Sequence, residues 1–170
     1  MHYAATKEFT AEMGDRPGVQ NIMVVVTDGL AKDKPEMSIE KIGKMLRDDG
    51  TIHVMAVGVN KAKTSELATI STAHNLIHES KQFSGLKSLL PAIFQGVCEE
   101  TGGDAIAKTE PVPVTVSPVP EMNCDMKNAN ECNNEINLAI MLDSHHSVKR
   151  VDTEWQKYFA KMLIQNFEIS

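Results

Sequence analysis

Two apolar runs limit the fold more than any other feature of the chain. Asn21-Ile-Met-Val-Val-Val-Thr27 and Ile52-His-Val-Met-Ala-Val57 are nearly continuous, without the alternation of a strand that has one wet face. Such runs are expected of strands covered on both faces, as in a parallel sheet between two layers of helices. Gly14-Asp-Arg-Pro-Gly18 precedes the first run as a turn, Asp28-Gly29 closes it, and the second ends at Gly58.

Helical patterns separate the runs. Ile39, Ile42, Met45 and Leu46 recur at helical spacing, with Asp33 as a cap, Pro35 in the first turn and Gly50 as the stop. Thr64-Ser-Glu66 opens a short helix carrying Leu67 and Ile70. Asn75-Leu-Ile-His-Glu79 reads as a third strand. Ser84 precedes a helix bearing Leu86, Leu89, Leu90, Ile93, Phe94 and Val97, in which Pro91 either forms a kink or marks the true start. Strands that alternate with helices predict an α/β fold with a parallel sheet. Ahead of them, Met1 to Phe9 has no signal-peptide core and reads as an amphipathic helix already under way. Met1 is therefore expected to be an internal methionine and the chain a fragment.

Composition changes after Thr101. Pro111, Pro113, Pro118 and Pro120 alternate with Val and Thr, and an Asn-rich stretch follows with Cys124 and Cys132. Residues 102–135 are expected to be an extended linker of polyproline character. Order returns at Ile136-Asn-Leu-Ala-Ile-Met-Leu142, an apolar strand ending in Asp143. Asp152 begins an amphipathic helix with Trp155, Phe159, Met162, Leu163 and Phe167 on one face.

The net charge of −6, with no basic–aromatic stretch, argues against nucleic acid as a partner. No stretch reaches about 18 consecutive apolar residues, so no membrane span is expected. There is no P-loop, GxSxG or HExxH, and no enzyme is expected. Cys98, Cys124 and Cys132 form no close pair of the zinc-knuckle type. They suit disulfides that flank domains in an oxidising compartment, with three free cytosolic thiols as the alternative. The odd count leaves at least one to pair elsewhere or stay free. His145-His146 reads as an exposed loop, His53 as a satisfied core residue, and His74 and His78 as surface residues. The ten methionines are scattered, as core filling would be.

The stretch from Gly14 to Gly29 resembles the fourth strand, with its lead-in, of von Willebrand factor type A (VWA) domains. Ile52 to Val59 is similar to the family's next strand, and Phe83 to Cys98 to the end of such a domain. Leu138-Ala-Ile-Met-Leu-Asp-Ser-His-His-Ser147 resembles the first strand of another. The nearest flavour is the matrix type of collagen VI-like, matrilin-like and mussel byssal thread matrix proteins. The resemblance implies a doubly wound, Rossmann-like sheet of order 3-2-1-4-5-6. It divides the chain into the C-terminal part of one VWA domain (1–101), a linker (102–135) and the N-terminal part of a second (136–170).

The family's metal-ion-dependent adhesion site lies at the C-terminal ends of the strands, where strand order reverses. By resemblance, Asp28 matches the Asp after strand four, Asp143 the first Asp of the Asp-x-Ser-x-Ser motif, and Ser147 its last Ser. These are the metal-site candidates for Mg²⁺ or Mn²⁺, which favour hard oxygen ligands. His145 stands where the middle Ser belongs, and an imidazole there is expected to weaken or abolish the second unit's site. The family's Thr has no counterpart in this chain. The implied function is that of a secreted matrix or adhesion protein binding matrix proteins such as collagen, or other VWA-containing chains. A structural module without metal, and an intracellular subunit of a multiprotein complex, are the alternatives.

Strands one and four are neighbours in the family's sheet. The strand at 136–142 is therefore expected to dock beside that at 21–27 in a partial 1-4-5-6 sheet, bringing Asp28, Asp143 and Ser147 together. The linker is long enough for this return at ~3.1 Å per extended residue. Two strands and their helices would still be missing, which leaves one sheet edge exposed and predicts poor stability of the isolated chain.

Overall fold

The computed structural model describes residues 1–29, 38–101, 135–144, 148–165 and 167. Residues 102–134 of the predicted linker, Asp33, Pro35, His145, His146 and Ser147 lie outside these residues. Four strands, β1 (Gln20–Thr27), β2 (Ile52–Val59), β3 (Ile77–Ser80) and β4 (Ile136–Met141), form one sheet of order β3-β2-β1-β4. Every pairing is parallel. Among the described residues four α-helices accompany them: α1 (Ile39–Asp49), α2 (Thr64–Ile70), α3 (Leu86–Glu100) and α4 (Arg150–Gln165). The C-terminal strand sits beside β1, as expected, so the order corresponds to the predicted 1-4-5-6 arrangement.

The unbroken apolar runs are explained by two cores. Ile22, Val24 and Val26 of β1, with Met55, Val57 and Val59 of β2, pack under α3 and α4 against Leu90, Ile93, Phe159 and Leu163. Met23 and Val25, with Val54 and Ala56, face the other way, onto Ile42 and Leu46 of α1 and Leu67 and Ile70 of α2. Successive side chains point to opposite faces, so both parities must be apolar when both faces are covered.

Local chemistry sets the helix limits, with some differences from expectation. The N-cap of α1 is Ser38, whose Oγ accepts from Lys41 N at 3.3 Å, and not Asp33. Gly50, at φ 67°, closes the helix by donating its N–H to Leu46 O. Arg47 reaches from α1 to donate to Thr69 O and Ser71 O, satisfying carbonyls at the end of α2. Pro91 does not mark the start of α3, which begins at Leu86 and continues through it. Pro91 and Lys87, whose carbonyl would otherwise accept from residue 91, are both exposed, which is where a lost helical hydrogen bond costs least. The third strand starts at Ile77, after a 3₁₀ turn over His74–Leu76. The N-terminal segment is a short π-type helix, Ala4–Glu8, that buries Ala4.

A polar network pins β4 to β1 at the N-terminal ends of the strands. Asn137, buried in β4, donates to Asp15 Oδ1 at 2.8 Å and to Asn21 Oδ1 at 2.9 Å. Arg16 donates to Asn137 Oδ1 at 3.2 Å and to Ile136 O at 2.6 Å. A slip by one residue would break this set and turn Leu138 and Ile140 away from the α3–α4 face. Among the described residues no strand covers the outer edge of β4. A groove of about 660 Å³ lies there, between β4 and Tyr3, Phe9 and Met13. Among the described residues, no helix is long and apolar enough to cross a membrane.

Of the histidines, His53 is satisfied as expected, though only half-buried, while His78 differs from its sequence reading. His53 is half-buried, with Nδ1 2.7 Å from Glu100 Oε2 and Nε2 against the Gln20 side-chain amide. His74 is exposed, as expected, but His78 is half-buried in β3, and its Nε2 is shut off from solvent without a hydrogen-bond partner among the described residues. Burial lowers the His78 pKa below the ordinary 6.5, because the charged ring loses water. Its contribution to stability is fully present above that value and is lost as pH falls through the lowered folded value. Urea midpoints at pH 7.5 and 5.5 are expected to differ less in His78→Gln than in the wild type. An equal acid-induced drop in both would count against this role.

Candidate metal-binding site

The site grows from the ends of two adjacent strands. β1 stops at Thr27, and Asp28 follows, buried at 3% exposure. Gly29 then turns the chain at φ 79°, with its N–H donating to Thr27 Oγ1 at 3.1 Å. A Cβ on Gly29 would stand 2.6 Å from Ala62 Cα, so glycine is required both by the turn and by the close approach of the β2–α2 loop. Asp143 follows the end of β4. The register of β4 on β1 pairs Val25 with Met141, which carries Asp143 to the level of Thr27, one residue before Asp28.

The two aspartates meet: Asp28 N donates to Asp143 Oδ2 at 3.4 Å. On the far side Asp143 is held by Gln156 of α4, fully buried at 0% exposure. Gln156 Oε1 accepts from Asp143 N and Gln156 Nε2 donates to Asp143 O, each at 2.9 Å. Sequence reasoning missed Gln156, although a signal was present. Gln156, Phe159 and Leu163 fall at i, i+3 and i+7, which puts a polar residue on the apolar face of α4. It also missed Arg16 and Asn137, whose signal was a lone polar residue in the apolar run Ile136–Leu142.

Two carboxylates at the C-terminal edge of a parallel sheet, where β1 has neighbours on both sides, offer hard oxygen donors suited to a small divalent cation. Ser147, the third candidate, lies outside the described residues. Among the described residues, no three His, Cys, Asp or Glu side chains are grouped to hold a metal.

The family model of the von Willebrand factor type A domain matches residues 1–92. The chain belongs to the VWA domain family. Mouse collagen alpha-6(VI) chain is 24% identical over 164 residues, covering 95% of this chain and 6% of that protein. Cochlin from Bos taurus is 26% identical over 175 residues, covering 100% of this chain and 28% of that protein. The chain thus spans a small part of the relatives it matches. Among solved structures, proximal thread matrix protein 1 from the mussel byssus aligns with a TM-score of 0.51 at 23% identity. That alignment covers 56% of this chain and 24% of the mussel chain, and it supports the VWA fold. The parallel sheet with helices on both faces is the VWA arrangement expected from the sequence. Cys98 is disulfide-bonded, and Cys124 and Cys132 lie outside the described residues.

Proposed function

We propose that this chain is part of a secreted extracellular matrix protein whose VWA modules bind other matrix proteins, such as collagen, through a divalent cation held by Asp28 and Asp143. The observation that carries the reading is the convergence of Asp28 and Asp143, from opposite ends of the chain, at the C-terminal edge of one sheet. Ser147 completes the proposed ligand set, and Mg²⁺ or Mn²⁺ is the ion that oxygen donors favour. When bound, the ion would supply an open coordination position for an acidic side chain of the partner. The names of the collagen relatives support a matrix setting, and a further structure of the mussel protein has a zinc-occupied MIDAS motif. The disulfide at Cys98 suits an oxidising compartment. We read the chain as a binding module, not an enzyme. We read residues 1–101 as the C-terminal part of one VWA unit and 136–170 as the N-terminal part of another, joined by a linker (102–135), with the two parts sharing one sheet in this chain.

A second reading, a VWA spacer without metal, draws support from the described residues, which group only two acidic ligands at this place. Calorimetric titration of Mn²⁺ into the full chain separates the two. Binding to the wild type is expected, weakened at least about tenfold in Asp28→Asn and in Asp143→Asn, since even residues behind the ligands are worth that much. Collagen capture on a surface should then be released by EDTA. Capture that persists unchanged in EDTA favours the spacer.

A further inference from the structure

The family resemblance assigns no role to Gln156, yet it is the buried polar side chain nearest the carboxylate pair by hydrogen bonding. We propose that Gln156 is the positioning residue of that pair: its amide clamps the main chain of Asp143 and ties the place of this carboxylate to the seat of α4.

Asp143 lies past the last paired residue of β4, where the ladder ends at Val25 and Met141. Its main-chain N–H and C=O therefore need partners that β1 does not supply. Gln156 serves both, accepting at Oε1 and donating at Nε2, each at 2.9 Å. A primary amide is suited to this, because one group both donates and accepts. Asparagine has the same chemistry but is shorter by a methylene, and a glutamate carboxylate accepts without donating. The clamp is anchored by packing. Phe159 and Leu163, on the same face of α4, are 1% and 0% exposed in the core beneath α3 and α4. A close-packed face does not rotate freely, so Gln156 stays where α4 puts it. The line of contact runs from α4 through Gln156 to Asp143, and from the Asp143 carboxylate to the main chain of Asp28. A displacement of α4 along the sheet would therefore move Asp143 relative to Asp28.

The test uses the full chain with Gln156→Met, which keeps the volume and loses both hydrogen bonds, and Gln156→Glu, which keeps the acceptor alone. Amide hydrogen exchange is read at Asp143 and at Val24 and Val57 in the sheet centre. In Gln156→Met, Asp143 is expected to exchange roughly tenfold faster while Val24 and Val57 keep their protection, the size expected for loss of one buried hydrogen bond. In Gln156→Glu, Asp143 is expected to retain most of its protection. Unchanged exchange at Asp143 in Gln156→Met overturns the proposal. So does equal acceleration at all three positions, which would make Gln156 a general packing residue. A Mn²⁺ titration adds the link to the reading above, on which this arm alone rests: Gln156→Met is expected to weaken binding about 10–100-fold. If the wild type binds no Mn²⁺, the metal reading fails, and the exchange data still decide the role of Gln156.

Discussion

Gly43→Ala is expected to destabilise the fold by about 3 kcal/mol or more, near the upper end of what overpacking a close-packed core costs. The reason is a close approach of two backbones. A Cβ on Gly43 would fall 1.8 Å from Thr69 O and 2.9 Å from Thr69 C. A flexible side chain would move aside, but Thr69 O is main chain at the end of α2, held by Arg47 Nη1 at 2.9 Å. Two residues on, Ser71 is buried and donates to Val54 O in β2. Relief would require α1 to lift from α2 and uncover Ile42, Leu46 and Ile70. Helix propensity alone predicts the opposite sign, since alanine is about 1 kcal/mol better than glycine inside a helix. Urea unfolding distinguishes the two: a variant as stable as the wild type, or more so, would mean that α1 and α2 do not touch at Gly43.

Phe159→Ala is expected to cost about 3–5 kcal/mol, the range for removing a large aromatic ring from a core. Phe159 is 1% exposed and sits among Leu90, Ile93 and Leu163 between α4 and α3. Nearby, the rings of Phe94 and Phe167 pack at a tilt of 37° with centroids 5.1 Å apart. The loss should be greatest in the C-terminal unit, because β4 and α4 contact the rest chiefly through β1 and α3. Amides of β4 should lose protection before those of β2 as urea rises. Thermal and urea midpoints that barely move, with β4 still protected, would place α4 elsewhere than against α3.

Much of the fold was legible because burial on two faces writes itself into composition. The runs at Met23–Val26 and Val54–Val57 have no polar parity, and that absence is the signature of helices above and below. The carboxylates Asp28 and Asp143 were legible through the VWA resemblance, each at the end of an apolar strand. The limits of α1 were not. Asp33 and Ser38 are both acceptable caps by type, and what selects Ser38 is where α1 must begin to lay Ile42 and Leu46 on the sheet. His78 was misread as a surface residue because a four-residue edge strand carries too little pattern to show which side chains are covered.

The sequence by itself determined that this protein would form parallel strands between helices, and which aspartates stand at their ends, because side-chain period and strand termination are local properties. Tertiary structure decided what those pieces do together. The pairing of β4 with β1 joins residues far apart in the chain, and its register rests on Arg16 and Asn137, which meet only after folding. The clamp of Gln156 on Asp143 and the contact of Gly43 with Thr69 are of the same kind. Each is a distance between elements, set by how helices and strands pack, and no local pattern encodes it.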